Sequence, residues 1–164
     1  MILGLFSLSA YTIMHVIVSL VAIATGLVVL VGVLGGKRLD GWTFWFLLTT
    51  ALTSITGFGF PFDHLLPSHI VGIISLAALL LAIVARYAFD LAGPWRGLYV
   101  FAAMLALWFN VFVLVAQAFQ KVSALKALAQ TQADPPFLIA QTMVMVLFII
   151  MGIAALRKFH PPAA

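Results

Sequence analysis

Long apolar stretches separated only by short polar punctuation constrain this chain more than any other feature. Five can be read, at about residues 11–34, 42–60, 67–87, 95–119 and 137–156. A hydrocarbon core about 30 Å thick is crossed by a helix of about 20 such residues. No charged side chain precedes Lys37. Composition agrees: 65% of the 164 residues are hydrophobic and 7% charged, with a mean hydropathy of +1.25. A water-soluble domain has about a quarter of its residues charged. The expectation is an all-α, polytopic integral membrane protein, a single domain built as a bundle of five transmembrane helices.

The punctuation marks the ends. Gly35-Gly36-Lys37-Arg38 closes the first stretch and Pro61 the second. Pro67-Ser68 opens the third, and Pro135-Pro136 opens the fifth, which Arg157-Lys158 closes. Residues 2–34 as one helix would be roughly 50 Å long, so Met1 to Ala10 are expected to tilt, break or lie at the interface. Between the fourth and fifth stretches, the alanine-rich Ser123–Ala133 segment suggests a short surface helix.

Charge placement excludes several function classes. The net charge is +4, but Lys37, Arg38, Arg86, Arg96, Arg157 and Lys158 all flank apolar runs. That is topogenic placement and not a phosphate-tracking stripe, so no nucleic-acid partner is expected. With five crossings, those six residues share one side, against Lys121 and Lys126 on the other. The N-terminus is therefore expected outside and the C-terminus in the cytoplasm. A basic n-region is missing, so the first stretch reads as a retained helix and not a cleaved signal peptide. The absence of cysteine removes disulfides, thiolate nucleophiles and cysteine metal sites. No serine–histidine–acid arrangement or HExxH motif suggests a hydrolase. A transporter or channel component is disfavoured, because no carboxylate falls at mid-membrane and the stretches do not divide into an inverted repeat.

Polar residues inside the stretches define helix faces. His15, Ser19, Ala22 and Gly26 form a small-residue row on the first helix, open to close approach by a neighbour. The second is rich in hydroxyls: Thr49, Thr50, Thr53, Ser54 and Thr56. Ser68, Gly72, Ser75, Leu79, Ala82 and Arg86 share a narrow face of the third. The fourth carries Ala103, Ala106, Asn110, Val113, Gln117 and Gln120 on one face, and the fifth places Gln141 in line with Met145 and Phe148. An amide at the depth of Asn110 is expected to face the bundle interior.

Histidines gather on one side. His15, His64 and His69, with Asp63, converge in depth near the outer boundary, together with Gln117, while His160 lies in the tail. Imidazole ligates haem iron or a transition metal, and a carboxylate adds a hard ligand. His15, His64, His69 and Asp63 are thus the candidate metal set. His15, His64, His69, Asn110 and Gln117 are the candidate contacts for haem b or a quinone. A quinone site would set a histidine or aspartate against an apolar slot, and the Gly57-Phe58-Gly59-Phe60-Pro61-Phe62 run could wall one. The histidine count allows at most one haem, near the outer face. Interfacial packing with no ligand remains open for the same residues.

Gly35-Gly36-Lys37-Arg38-Leu39-Asp40-Gly41-Trp42, the segment from Thr56 to His69, and Val115 to Val122 with Gln132 to Phe137 resemble runs in small uncharacterised proteobacterial inner-membrane proteins. That resemblance spans nearly the whole chain and implies a multi-pass protein of the bacterial inner membrane, with no attached activity. A looser similarity, through His15 and His69-x-x-Gly72, links the chain to b-type cytochrome-like membrane proteins and implies a haem ligand role for those histidines. The reading for function is a small membrane subunit or accessory protein acting through association with a membrane protein partner or a second copy of itself. The alternative is a redox protein using the outer His/Asp cluster.

Overall fold

A computed structural model describes residues 7–60 and 67–161. Helix α1 covers Leu8–Leu34, α2 Asp40–Gly57, α3 Pro67–Ile83, α4 Pro94–Lys121, α5 Ser123–Leu128 and α6 Pro135–Lys158. The last turn of α3 widens into a π-helical turn, Val84–Ala88. Local chemistry sets these limits. The Ser7 hydroxyl accepts from the Ala10 amide and starts α1. Gly36, at φ 71°, turns the chain out of it while the Lys37 amide bonds back to the Gly32 carbonyl at 2.8 Å. Pro94 and Pro135 occupy first helical turns, where their missing N–H removes no helical bond.

Among the described residues, four helices are long and apolar enough to cross a membrane: Leu8–Leu34, His69–Ala88, Pro94–Lys121 and Pro135–Lys158. The expected five transmembrane helices are thereby corrected to four. The stretch at 42–60 is helical, as α2, but it carries Asp40, two tryptophans and a dense set of hydroxyls, and is too polar to qualify. Its apolar appearance in sequence came from Phe44, Phe46, Leu47 and Leu48, while Thr43, Thr49, Thr50 and Ser54 are buried inside the bundle. The N-outside, C-cytoplasmic orientation rested on an odd number of crossings and falls with the fifth one.

Helix α4 is the hub, packed on α3, α6 and α1, while α2 lies between α1 and α3. The core joins Val29, Leu30 and Val33 of α1 to Phe46 and Leu47 of α2, Leu79 and Ala82 of α3, and Ala103, Ala106 and Leu107 of α4. Helix packing in lipid depends on close van der Waals fit and not on release of apolar surface from water. Gly26 shows how: a Cβ there would lie 2.8 Å from the Phe46 ring. Its missing side chain is what lets α2 and α4 close on α1. The short α5 has no buried residue, and the chain after it is held by Ala129 packing with Ala116 and Phe137.

Candidate functional site

Polar groups concentrate at the two ends of the bundle, with a thin ladder between. At one end, Arg86 stands out because its side chain is only 1% exposed. It comes from the π-helical turn, a widening often found at functional positions. Nη2 of Arg86 donates to Asp40 Oδ1 and, at 3.2 Å, to the Arg38 carbonyl. The same carbonyl accepts from the Thr43 hydroxyl at 3.2 Å. Arg38 in turn reaches Asp90 at 2.8 Å and Asp40 at 3.3 Å. Partial burial opposes the charged form of Arg38, but the hydrogen bond and charge of Asp90, and then those of Asp40, outweigh it and raise its pKa.

The guanidinium of Arg86 also sits 5.3 Å from the ring centroid of Tyr99 and 5.9 Å from that of Tyr87, within cation–π range. Tyr99 is fully buried and packs on Phe159, which closes the bundle after α6. Nε and Nη1 of Arg86 and the Tyr99 hydroxyl have no hydrogen-bond partner among the described residues. Leu39, Asp90 and Leu91 adopt positive φ of 44°, 43° and 59°. Such backbone costs about 1–3 kcal/mol per residue and persists where surrounding contacts over-determine it. All three flank the ion pairs, so Asp90–Arg38–Asp40–Arg86 acts as a clasp that fastens the α1–α2 loop to the α3–α4 loop.

The clasp was missed by sequence reasoning, which treated Arg38 and Arg86 as topogenic flanks. A signal was present: Arg86 ends the row Ser75, Leu79, Ala82, and all four are buried. A cation at the end of an inward row requires a carboxylate, and Asp40 supplies it from 46 residues away.

At the other end lies His15, half-buried on α1. Its Nδ1 is 2.8 Å from the Thr56 hydroxyl, and its ring meets Phe60 edge-on at 5.1 Å. Thr56 gives its single hydrogen to the Leu52 carbonyl at 2.6 Å. With that hydrogen on the carbonyl, the pairing with Nδ1 corresponds to the Nδ1–H tautomer, in which Nε2 is the acceptor. Beside it, the Tyr11 hydroxyl donates to the Thr56 carbonyl at 2.7 Å. His69 is buried and stacks on Phe58 at 5.5 Å. The two histidines are thus seated on different phenylalanines of the same helix end.

Asp63 and His64 lie outside the described residues. Among the described residues, no three of His, Cys, Asp and Glu come together to hold a metal ion. Asn110 donates to the Thr50 hydroxyl at 3.2 Å, about 9 Å along α2 from Thr56, so it does not join His15. Gln117 is exposed and takes no hydrogen bond among the described residues. The middle ladder is completed by Ser54 donating to Ser75 at 3.3 Å and Gln141 to the Phe112 carbonyl at 2.9 Å.

One further feature belongs to no sequence-predicted site. Helices α4 and α6 diverge to leave an apolar groove of about 360 Å³, lined by Val100, Met104 and Trp108 on one side and Phe148, Gly152 and Leu156 on the other. No protein-family model, curated protein or solved structure matches the chain.

Proposed function

We propose that this chain is a small subunit or accessory protein of the bacterial inner membrane that works by associating with another membrane polypeptide. The resemblance noted above supports the location. The setting of α6 carries the reading. Of its 24 residues only Phe137, Gln141, Phe148 and Ala155 are buried, and it packs chiefly on α4 with a lighter contact to α1. Ile139, Met143, Val146 and Ile150 are all exposed and recur at spacings of four, three and four. That spacing suits knobs-into-holes packing against another helix, which in lipid works by fit alone.

The absence of cysteine makes the test direct, since one introduced thiol is a unique probe. Met143→Cys, carrying a photoactivatable label in native membranes, should give a discrete adduct heavier than the 17.7 kDa chain. Ile13→Cys, equally exposed on α1, should not. Equal labelling at both positions, or none at either, would count against that packing.

A second reading, haem b or quinone binding at His15, has one observation in its favour. The 2.8 Å contact of Nδ1 with the Thr56 hydroxyl orients the ring, and a proton on Nδ1 leaves Nε2 in the form that ligates iron. It is tested by spectra of the oxidised and dithionite-reduced protein with metal and quinone analysis. A Soret band or near-stoichiometric quinone, lost in His15→Ala, supports it; a colourless, quinone-free and folded preparation rejects it.

A further inference from the structure

We infer that the groove between α4 and α6 seats one acyl chain of an anionic phospholipid, whose headgroup is held by Arg96 and Arg157 at the groove's mouth. The groove is apolar throughout and runs about 12 Å along α4 and about 16 Å along α6. That suits a single hydrocarbon chain. Its mouth lies where α4 begins and α6 ends, because a Cβ on Gly97 would touch Leu156 at 3.8 Å.

Charge decides the headgroup. Arg96 stands four, eight and twelve residues before Val100, Met104 and Trp108, so it heads the same helical row that lines the groove. Arg157 directly follows Leu156, the last lining residue on α6. The carboxylates at this end are already engaged, Asp40 by Arg38 and Arg86, and Asp90 by Arg38. Arg96 and Arg157 therefore have no ion-pair partner among the described residues. Two unpaired cations at the surface end of an apolar slot complement a phosphate joined to a hydrocarbon tail. A zwitterionic headgroup sets a fixed ammonium beside its phosphate and so compensates the two cations less than an anionic one does.

The test uses the full chain, delipidated in mild detergent and titrated with phosphatidylglycerol or phosphatidylcholine while bound lipid is counted by native mass spectrometry. The wild type should retain phosphatidylglycerol in preference to phosphatidylcholine. Replacing both cations in Arg96→Gln/Arg157→Gln should reduce that preference roughly twenty-five-fold at low salt, each cation being worth about a factor of five. Gly152→Leu fills the groove from a position where a Cβ meets nothing within 4 Å, so the fold should tolerate it. It should weaken both lipids while leaving the headgroup preference intact. The assignment is overturned by a wild type without headgroup preference, or by variants that leave binding unchanged. It is equally overturned if Gly152→Cys crosslinks to a polypeptide in native membranes, which would give the groove to a partner helix.

Discussion

Removing Asp40 should harm the protein more than removing Arg86, although the two share one ion pair. The asymmetry comes from burial: the Arg86 side chain is 1% exposed and that of Asp40 72%. Asp40→Asn strips the countercharge from a buried guanidinium whose Nε and Nη1 already lack partners. Breaking a buried pair in this way costs about 3–5 kcal/mol. Asp40 itself faces water, and screening there reduces the loss to about 1–3 kcal/mol. Arg86→Met instead removes the buried charge, and the exposed Asp40 rehydrates while keeping its contact with Arg38. Apolar replacement of a buried ion is often neutral or stabilising. Against that stands a lost cation–π contact with Tyr99, worth about 0.5–2 kcal/mol. The net change in Arg86→Met should therefore stay within about 1 kcal/mol. The double variant should fall below Arg86→Met by no more than the exposed Arg38 pair is worth, about 0–1 kcal/mol, because Asp40 has no buried charge left to serve. Unfolding in mixed micelles with rising dodecyl sulfate, followed by tryptophan fluorescence, gives all three values. If Arg86→Met proves the more damaging single change, or the two losses simply add, the view of Asp40 as countercharge to a buried cation is wrong.

Two further outcomes follow from particular contacts. Gly26→Val places a side chain 2.8 Å from the buried Phe46 ring, and overpacking of this kind costs about 1–3 kcal/mol, so the thermal midpoint should fall. An unchanged midpoint would mean that α1 and α2 are not in close contact there. Asp134 accepts from the Gln130 and Thr131 amides at 2.7 and 2.9 Å and from the Thr131 hydroxyl at 3.0 Å. The backbone and side-chain bonds from Thr131, and then that from Gln130, hold its pKa below the usual carboxylate value. The turn's protection should persist above the unfolded carboxylate pKa and be lost as pH falls through the lower folded value. Amide exchange at Gln130 and Thr131 reads this, and Asp134→Asn should abolish the pH dependence.

Much of the helical framework is legible because its ends are written in glycine and proline. Gly35-Gly36, Pro94 and Pro135-Pro136 each sit where a helix stops or starts, for reasons that need no tertiary contact. The shared face of Ser75, Leu79, Ala82 and Arg86 on α3 is legible from spacing alone, and the structure adds that all four are buried. The role of α2 was obscured by averaging: its phenylalanines and leucines resemble a span, while its hydroxyls decide that it is a polar lining of the bundle. Thr49 and Thr56 satisfy themselves on the preceding turn, Thr49 on the Trp45 carbonyl and Thr56 on the Leu52 carbonyl, both at 2.6 Å. The clasp was illegible because a flanking arginine that meets water and one that meets a distant aspartate look alike in sequence. Only the fold brings Asp40 and Asp90 to Arg38 and Arg86. Likewise, depth placed His15 and His69 near one another, but depth alone does not say that each is seated on its own phenylalanine.

The claim that this protein acts through association is tested most directly by the mass of the particle released from native membranes in a mild detergent. A complex heavier than the 17.7 kDa chain is expected, reduced to the single chain by charged substitution at Met143 and Ile150 on the exposed face of α6. A particle containing one 17.7 kDa chain and lipid alone, unaltered by those substitutions, would contradict it.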